Sequence, residues 1–195
     1  MSEDYEMMCG IEIHQQLDTR KLFCDCESHL CEDGEGAYFR KLRPTTSEMG
    51  EVDRAALAQF QRHMGYRYQC CEGTSCLVEL DEEPPHGVNP DAMQIALTFS
   101  EMLGANVIDE IHFMRKIVVD GSNTSGFQRT ALVATDGYVM AGDRRISILS
   151  VCLEEDAARK VETKGDEILY RLDRLGIPLI EVATGPDMRT PEEVQ

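Results

Sequence analysis

The sequence predicts an α+β protein, mainly antiparallel sheet with flanking helices. Short stretches in which apolar and polar residues alternate recur along the 195-residue chain, the pattern of half-buried strands. In the second half they follow one another with only turns between them, and the Asp136-Gly137 pair reads as a tight hairpin. Helical spacing with matching end signals is confined to a few short segments.

Taken in order, the first strand lies in Gly10-Ile11-Glu12-Ile13-His14-Gln15-Gln16-Leu17. Ile11, Ile13 and Leu17 are expected on a core face, with Gln15 breaking the alternation and Glu12, His14 and Gln16 on the other face. Asp18 to Lys21 reads as a polar turn, and a loop runs to Gly34-Glu35-Gly36. Ala37–Leu42 alternates as a strand that Pro44 ends. Thr45–Gly50 reads as a loop, and Val52–Met64 as a short helix with Ala55, Ala56, Leu57, Phe60 and Met64 as its apolar stripe. Tyr66–Cys70 and Cys76–Leu80 read as strands, and Asp81–Gly87 as a rigid acidic loop.

The clearest helix follows, capped by Asn89, with Pro90 in its first turn and Gly104 as its stop. Met93, Ala96, Leu97, Met102 and Leu103 are its expected buried face. Val107–Phe113 and Lys116–Val119 are strand-like, and Asp120–Gly126 is the most turn-rich stretch. Gln128–Thr135 and Tyr138–Ala141 form the predicted hairpin, followed by strands at Arg145–Leu153, Ile168–Leu172 and Leu175–Thr184. Thr190, Pro191 and Glu193 carry the cap, first-turn proline and capping-box acid of a beginning helix. A helix that starts so close to the last residue suggests a fragment of something longer.

Net charge is −17, from 36 acids against 19 bases. Bulk charge therefore does not draw a polyanion to this surface, and any nucleic-acid contact needs a local basic patch or other parts of the molecule. Arg40-Lys41-Leu42-Arg43, Arg115-Lys116 and Arg144-Arg145 are the candidates. The acidic N-terminus has the wrong sign for a signal peptide, and no apolar run approaches a membrane span. The expected location is the cytoplasm. Of the eight cysteines, Cys24-x-Cys26-x4-Cys31 and Cys70-Cys71-x4-Cys76 do not match paired C-x2-C zinc spacing. Zinc is not expected.

The acids carry the chemistry. Glu12 and His14 share one strand face and can hold a cation or phosphate between them, although an ordinary strand with a wet face has the same pattern. Glu154, Glu155 and Asp156 end a strand, and Glu181 sits inside an almost wholly apolar one. A buried carboxylate needs a partner, while one on an edge strand points to solvent. Carboxylates with one imidazole suit a hard cation, Mg2+ or Mn2+, which serves phosphoryl transfer. Arg115 and Lys116 can neutralise phosphate charge, and the loop through Ser125 can offer it backbone N–H groups, though a plain turn has the same composition. Neither a G-x4-G-K-[ST] loop nor a G-x-S-x-G elbow is present.

The Gly10–Cys24 stretch resembles the opening of the E subunit of archaeal glutamyl-tRNA(Gln) amidotransferase and of its bacterial relative, the B subunit. Four later blocks resemble the same family in the same order: Cys76–His86, Arg115–Thr130, Leu153–Ala157 and Tyr170–Met188. The Glu-Leu-Asp-Glu-Glu-Pro-Pro-His and Asp-Gly-Ser-Asn-Thr-Ser-Gly-Phe-Gln runs favour the archaeal type.

The resemblance implies a cradle similar to glutamine synthetase, with residues 1–195 its N-terminal part and the tRNA-binding insertion and helical tail outside it. It implies ATP and Mg2+, and conversion of Glu-tRNA(Gln) to Gln-tRNA(Gln) through a γ-phosphoryl-glutamyl intermediate. Ammonia would come from an asparaginase-like amidase, the D subunit of the archaeal enzyme. By the same resemblance Glu12, His14, Glu155 and Glu181 hold the metal and form the catalytic set, with Glu154 the alternative to Glu155. Arg115, Lys116 and Ser125 are the candidates for ATP phosphates. The rival expectation is a non-catalytic fragment that docks a partner or binds zinc.

Overall fold

A computed structural model describes residues 6–42, 44 and 49–195. Arg43 of the first basic patch and residues 45–48 of the expected loop lie outside the described residues. Among the described residues, two sheets and three helices make up the fold. One sheet has six strands: β1 (Glu12–Gln16), β10 (Pro178–Thr184), β7 (Arg144–Glu155) and β6 (Phe127–Ala141) lie side by side, with β4 (Asn106–Val107) and β5 (Phe113–Ile117) both pairing β6. All its pairings are antiparallel. The second sheet has the order β2 (Glu35–Arg40), β3 (Gly65–Cys70), β9 (Glu167–Arg171), β8 (Arg159–Lys164), with β3 and β9 parallel. The α+β class with a mainly antiparallel sheet is what the pattern predicts.

One face of the six-stranded sheet is the floor of the larger core. Val151 and Leu153 of β7, Ile180 and Val182 of β10 and Val133 of β6 are buried there. Helix α2 (Pro90–Met102) packs over the β4, β6 and β7 part of this face. Asn89 Oδ1 accepts from the Asp91 and Ala92 amides at 2.9 and 3.2 Å, so the cap is the expected one. Of the expected face, Ala96 is buried and Met93, Leu97 and Leu103 pack partly buried against the core, but Ala92 and Ser100 turn fully inward and Met102 is 80% exposed. Small residues at four-residue spacing let the helix axis lie close to the sheet, which a Met face would hold off. Leu22 and Phe23 close the core from the segment after β1.

The second sheet buries three tyrosines, Tyr66, Tyr68 and Tyr170, with the last two stacked at 6.1 Å. Tyr68 Oη donates to the Gly121 carbonyl and Tyr170 Oη to that of Asp120, at 2.8 and 3.0 Å. These bonds pin the turn-rich loop after β5. Gly121 has φ of +85°, and a Cβ there would lie 2.3 Å from the Tyr66 ring, so only glycine fits.

Several elements depart from expectation. Asp136-Gly137 does not turn. β6 runs straight through it with Asp136 at φ +58°, and the reversal comes at Gly142, between the paired Ala141 and Arg144. Ten cross-strand pairs between β6 and β7 outweigh a local turn signal. Cys76–Leu80 is a run of turns closed by Leu80 N–H to Cys76 O. The Val52–Met64 helix shortens to α1 (Arg54–Gln61), capped by Asp53, with no buried residue. Strand pairing within Val107–Phe113 is limited to its ends, and β8 had no clear alternation to reveal it. Ile13 is 51% exposed because β1 is an edge strand that α2 does not cover. The closing helix α3 (Pro191–Val194) has the expected Thr190 cap. No helix among the described residues is long and apolar enough to cross a membrane.

Candidate functional site

The face of the six-stranded sheet opposite α2 carries the site. Register fixes which side chains meet there, since alternate residues of a strand share a face. His14 pairs with Glu181, Glu181 with Cys152, Glu154 with Leu179 and Thr130, and Lys116 with Gln128. One donor atom from each of His14, Glu154 and Glu181 lies within 4.8 Å of the others.

The trio is built unevenly. Glu154 is wholly buried, and its oxygens accept from Thr130 Oγ1 at 2.8 Å and Gln128 Nε2 at 3.0 Å. Glu181 Oε2 meets His14 Nε2 at 2.9 Å and Lys116 Nζ at 3.3 Å, so its partner is this cluster and not solvent at an edge. Lys116 Nζ is also 3.5 Å from Glu154 Oε1. Partial burial works against the lysine charge, but the two carboxylates outweigh it and hold its ammonium above the ordinary lysine range. Cys152 lies between the acids on the same face; burial first, then Glu181 and Glu154, pushes its thiol up to about 11.

The expected set is brought together only in part. His14 and Glu181 meet; Glu155 does not join them. One residue from Glu154 on a strand, it faces the α2 side, where Arg129 holds it through the backbone N–H at 3.0 Å and the guanidinium at 3.1 Å. Burial raises the Glu155 carboxyl despite Arg129, which works the other way. Glu12 shares the face of His14 but pairs with Ala183, at the end of β10 away from Glu154's partner Leu179. Of the phosphate candidates, only Lys116 is in the cluster. The Arg115 guanidinium stacks over Phe127 at 4.9 Å, and Ser125 Oγ donates to the Phe127 carbonyl at 2.9 Å. Ser125 does line a cavity of about 360 Å3 walled by Leu42, Phe60, Met64, Tyr66 and Ile117. Imidazole and carboxylate donors so grouped fit a hard divalent cation of the magnesium type.

A second cluster was not legible in the spacing. Cys24, Cys26, Cys76 and Glu79 also bring one donor atom each within 4.8 Å of the others. Each half of the cysteine pattern supplies part of it, and the fourth donor is a glutamate, which cysteine arithmetic does not count. Glu79 Oε1 accepts from Cys24 Sγ at 3.0 Å, and the fully buried Lys21 ammonium is 3.9 Å away. Lys21, read as part of a polar turn, is thus an internal charge that also donates to the Leu172 carbonyl at 3.0 Å. Cys31 and Cys71 form a disulfide instead of staying thiols or joining a metal.

Known proteins match this sequence over nearly the whole chain. The GatB/GatE catalytic domain matches residues 7–195. The E subunit of the glutamyl-tRNA(Gln) amidotransferase of Methanocaldococcus jannaschii is 53% identical over 98% of this chain and 31% of its own length. That of Aeropyrum pernix is 54% identical over 95% and 29%, and that of Saccharolobus solfataricus 53% over 99% and 30%. The chain therefore spans about a third of the length of these relatives and aligns with a portion of them. With residues 7–195 matched by its catalytic domain and relatives 53–54% identical over nearly all of the chain, the chain belongs to the GatB/GatE catalytic-domain family.

Proposed function

We infer that this chain supplies the centre at which a glutamyl-tRNA(Gln) amidotransferase activates its substrate, turning Glu-tRNA(Gln) into Gln-tRNA(Gln) at the expense of ATP. The observation that carries this is the grouping of His14, Glu154 and Glu181 beside Lys116. A carboxylate resists ammonia because its oxygen is a poor leaving group. Transfer of the ATP γ-phosphoryl to the glutamate side chain makes that oxygen part of a phosphate. Ammonia then attacks the acyl carbon, the C–O bond breaks, phosphate leaves and the amide remains.

His14, Glu154 and Glu181 would hold Mg2+, which when bound neutralises phosphate charge during the transfer. Thr130 and Gln128 fix the Glu154 carboxylate, and His14 orients that of Glu181. Such preorganised groups cost no rearrangement during reaction. Lys116 places a positive charge where phosphoryl oxygens gather. The cavity at Ser125 is lined in part by Ile117, which follows Lys116 in β5 and takes the other face of that strand, and its size is in the range that takes a small ligand such as a nucleoside. With a net charge of −17, this portion would leave most of the grip on tRNA to the rest of the protein. Ammonia would come from a partner amidase of the asparaginase type.

The test uses the full-length protein with its amidase. ATP cleavage should depend on Glu-tRNA(Gln), and Glu181→Gln should lower it about 10²- to 10³-fold, the scale of losing one preorganised electrostatic group. Turnover retained in both Glu181→Gln and Glu154→Gln would overturn the assignment.

A second role rests on the Cys24, Cys26, Cys76 and Glu79 cluster. Four converging donors, three of them thiols, fit a structural zinc ion that ties the segment after β1 to the turns before α2. This site is separate from the acidic trio and compatible with catalysis.

A further inference from the structure

The Lys116 ammonium occupies a particular place among the acids. It approaches Glu181 Oε2, the oxygen that also meets His14, and Glu154 Oε1, the oxygen that also accepts from Thr130. These are the two carboxylates assigned above to the divalent ion, so the inference rests on that reading. An ammonium and a divalent cation that draw on the same oxygens compete for them.

We propose that Lys116 is an internal counter-cation that bridges Glu154 and Glu181 when no divalent ion is bound, is displaced when one enters, and then offers its ammonium to the phosphate of the incoming nucleotide. Three observations support this. The Lys116 side chain is 53% exposed, so a four-carbon stem has open space to swing into, whereas Glu154 is fixed by two neutral donors. Two buried or half-buried carboxylates a few ångströms apart repel each other, and a resident cation relieves that without closing the site. Lys116 also stands on β5, a short strand at the sheet's edge paired only to β6, while both acids stand on central strands. Lys116 is here a competitor of the metal for its ligands and a binding residue for phosphate.

The consequence is a linkage in which metal entry makes the site receptive to phosphate, and phosphate, by holding Lys116 away, tightens the metal. The protein, stripped of divalent ions, is titrated with Mn2+ by electron paramagnetic resonance. Lys116→Met should bind Mn2+ about tenfold tighter than the unsubstituted protein, because the competitor is gone. Lys116→Arg, which keeps the charge, should stay within about threefold of it. Arg115→Met, which removes one charge from the other face of the same strand, should also stay within about threefold, separating competition from net charge. Non-hydrolysable ATP should tighten Mn2+ in the unsubstituted protein and do so less in Lys116→Met.

Unchanged or weaker Mn2+ binding in Lys116→Met would overturn the proposal, and equal tightening in Arg115→Met would reduce it to bulk charge and overturn it too. If Glu181→Gln leaves Mn2+ affinity unchanged, the metal assignment itself fails, and that outcome is separate from the first. Circular dichroism of each variant checks the fold; the exposed positions of Lys116 and Arg115 make all three replacements tolerable.

Discussion

Glu154 and Glu155 are consecutive in β7 and face opposite sides of one sheet. Glu154 looks toward His14 and Glu181, Glu155 toward Arg129 and the core under α2. The pleat alone makes this separation, since neighbouring strand residues point apart. Two acids that look equivalent in the sequence therefore have different work, and substitution tells them apart. Glu154→Gln keeps the volume and one acceptor oxygen but loses the charge, and Mn2+ affinity should fall at least about tenfold. Glu155→Gln should leave Mn2+ affinity within about twofold. Calorimetric titration of both variants decides it; equal losses would mean the two carboxylates act as one site.

Arg129 and Glu155 form an ion pair whose carboxylate is almost wholly removed from water. The arginine also stacks over Phe23 and Phe127 at 5.5 and 5.3 Å. Removing one member of a buried pair strands the other, so Arg129→Met should cost about 3–5 kcal/mol at neutral pH. The sign of the pH dependence follows from Glu155. Burial raises its folded pKa above the unfolded value despite Arg129, and without Arg129 the rise is larger. A raised carboxyl binds its proton more readily in the folded state, so the variant gains relative stability as pH falls through that raised value. Urea unfolding from pH 7 to pH 5 should show the gap to the unsubstituted protein narrowing. A constant gap would mean that the loss is one of packing and not of charge.

How far the sequence reveals this molecule follows from which forces act locally. The α2 cap is legible because Asn89 bonds amides two and three residues away. The β1, β7 and β10 strands are legible because their patterns, alternating in β1 and β7 and almost wholly apolar in β10, are written in consecutive residues. The choice of Glu154 over Glu155 is not, since it depends on the phase of β7 against β10 and β6, a relation between distant segments. Asp136-Gly137 misleads for the same reason: the long pairing of β6 with β7 decides the path, and the local turn chemistry is overruled. Lys21 and Glu79 are hidden because each is charged, and charge in a sequence reads as surface until a partner is seen.

The four-donor cluster of Cys24, Cys26, Cys76 and Glu79 gives the last prediction. Without metal, burial, then the Glu79 carboxylate, pushes the Cys24 thiol far above the ordinary thiol range, and burial chiefly pushes that of Cys76 up to about 11. A zinc ion binding there displaces the thiol protons, so apparent affinity should rise with pH between about 6 and 8. Elemental analysis of freshly purified protein should return one zinc per chain. Cys76→Ser should lose it, and a chelator should lower the melting temperature of the unsubstituted protein by several degrees while leaving that of Cys76→Ser unmoved. The segment after β1 and the turns before α2 meet at these four side chains, so opening the cluster should expose Phe23 and Val78, both buried in the larger core. Purified protein free of zinc, with a melting temperature indifferent to chelator, would reduce the cluster to buried thiols hydrogen-bonded around one carboxylate.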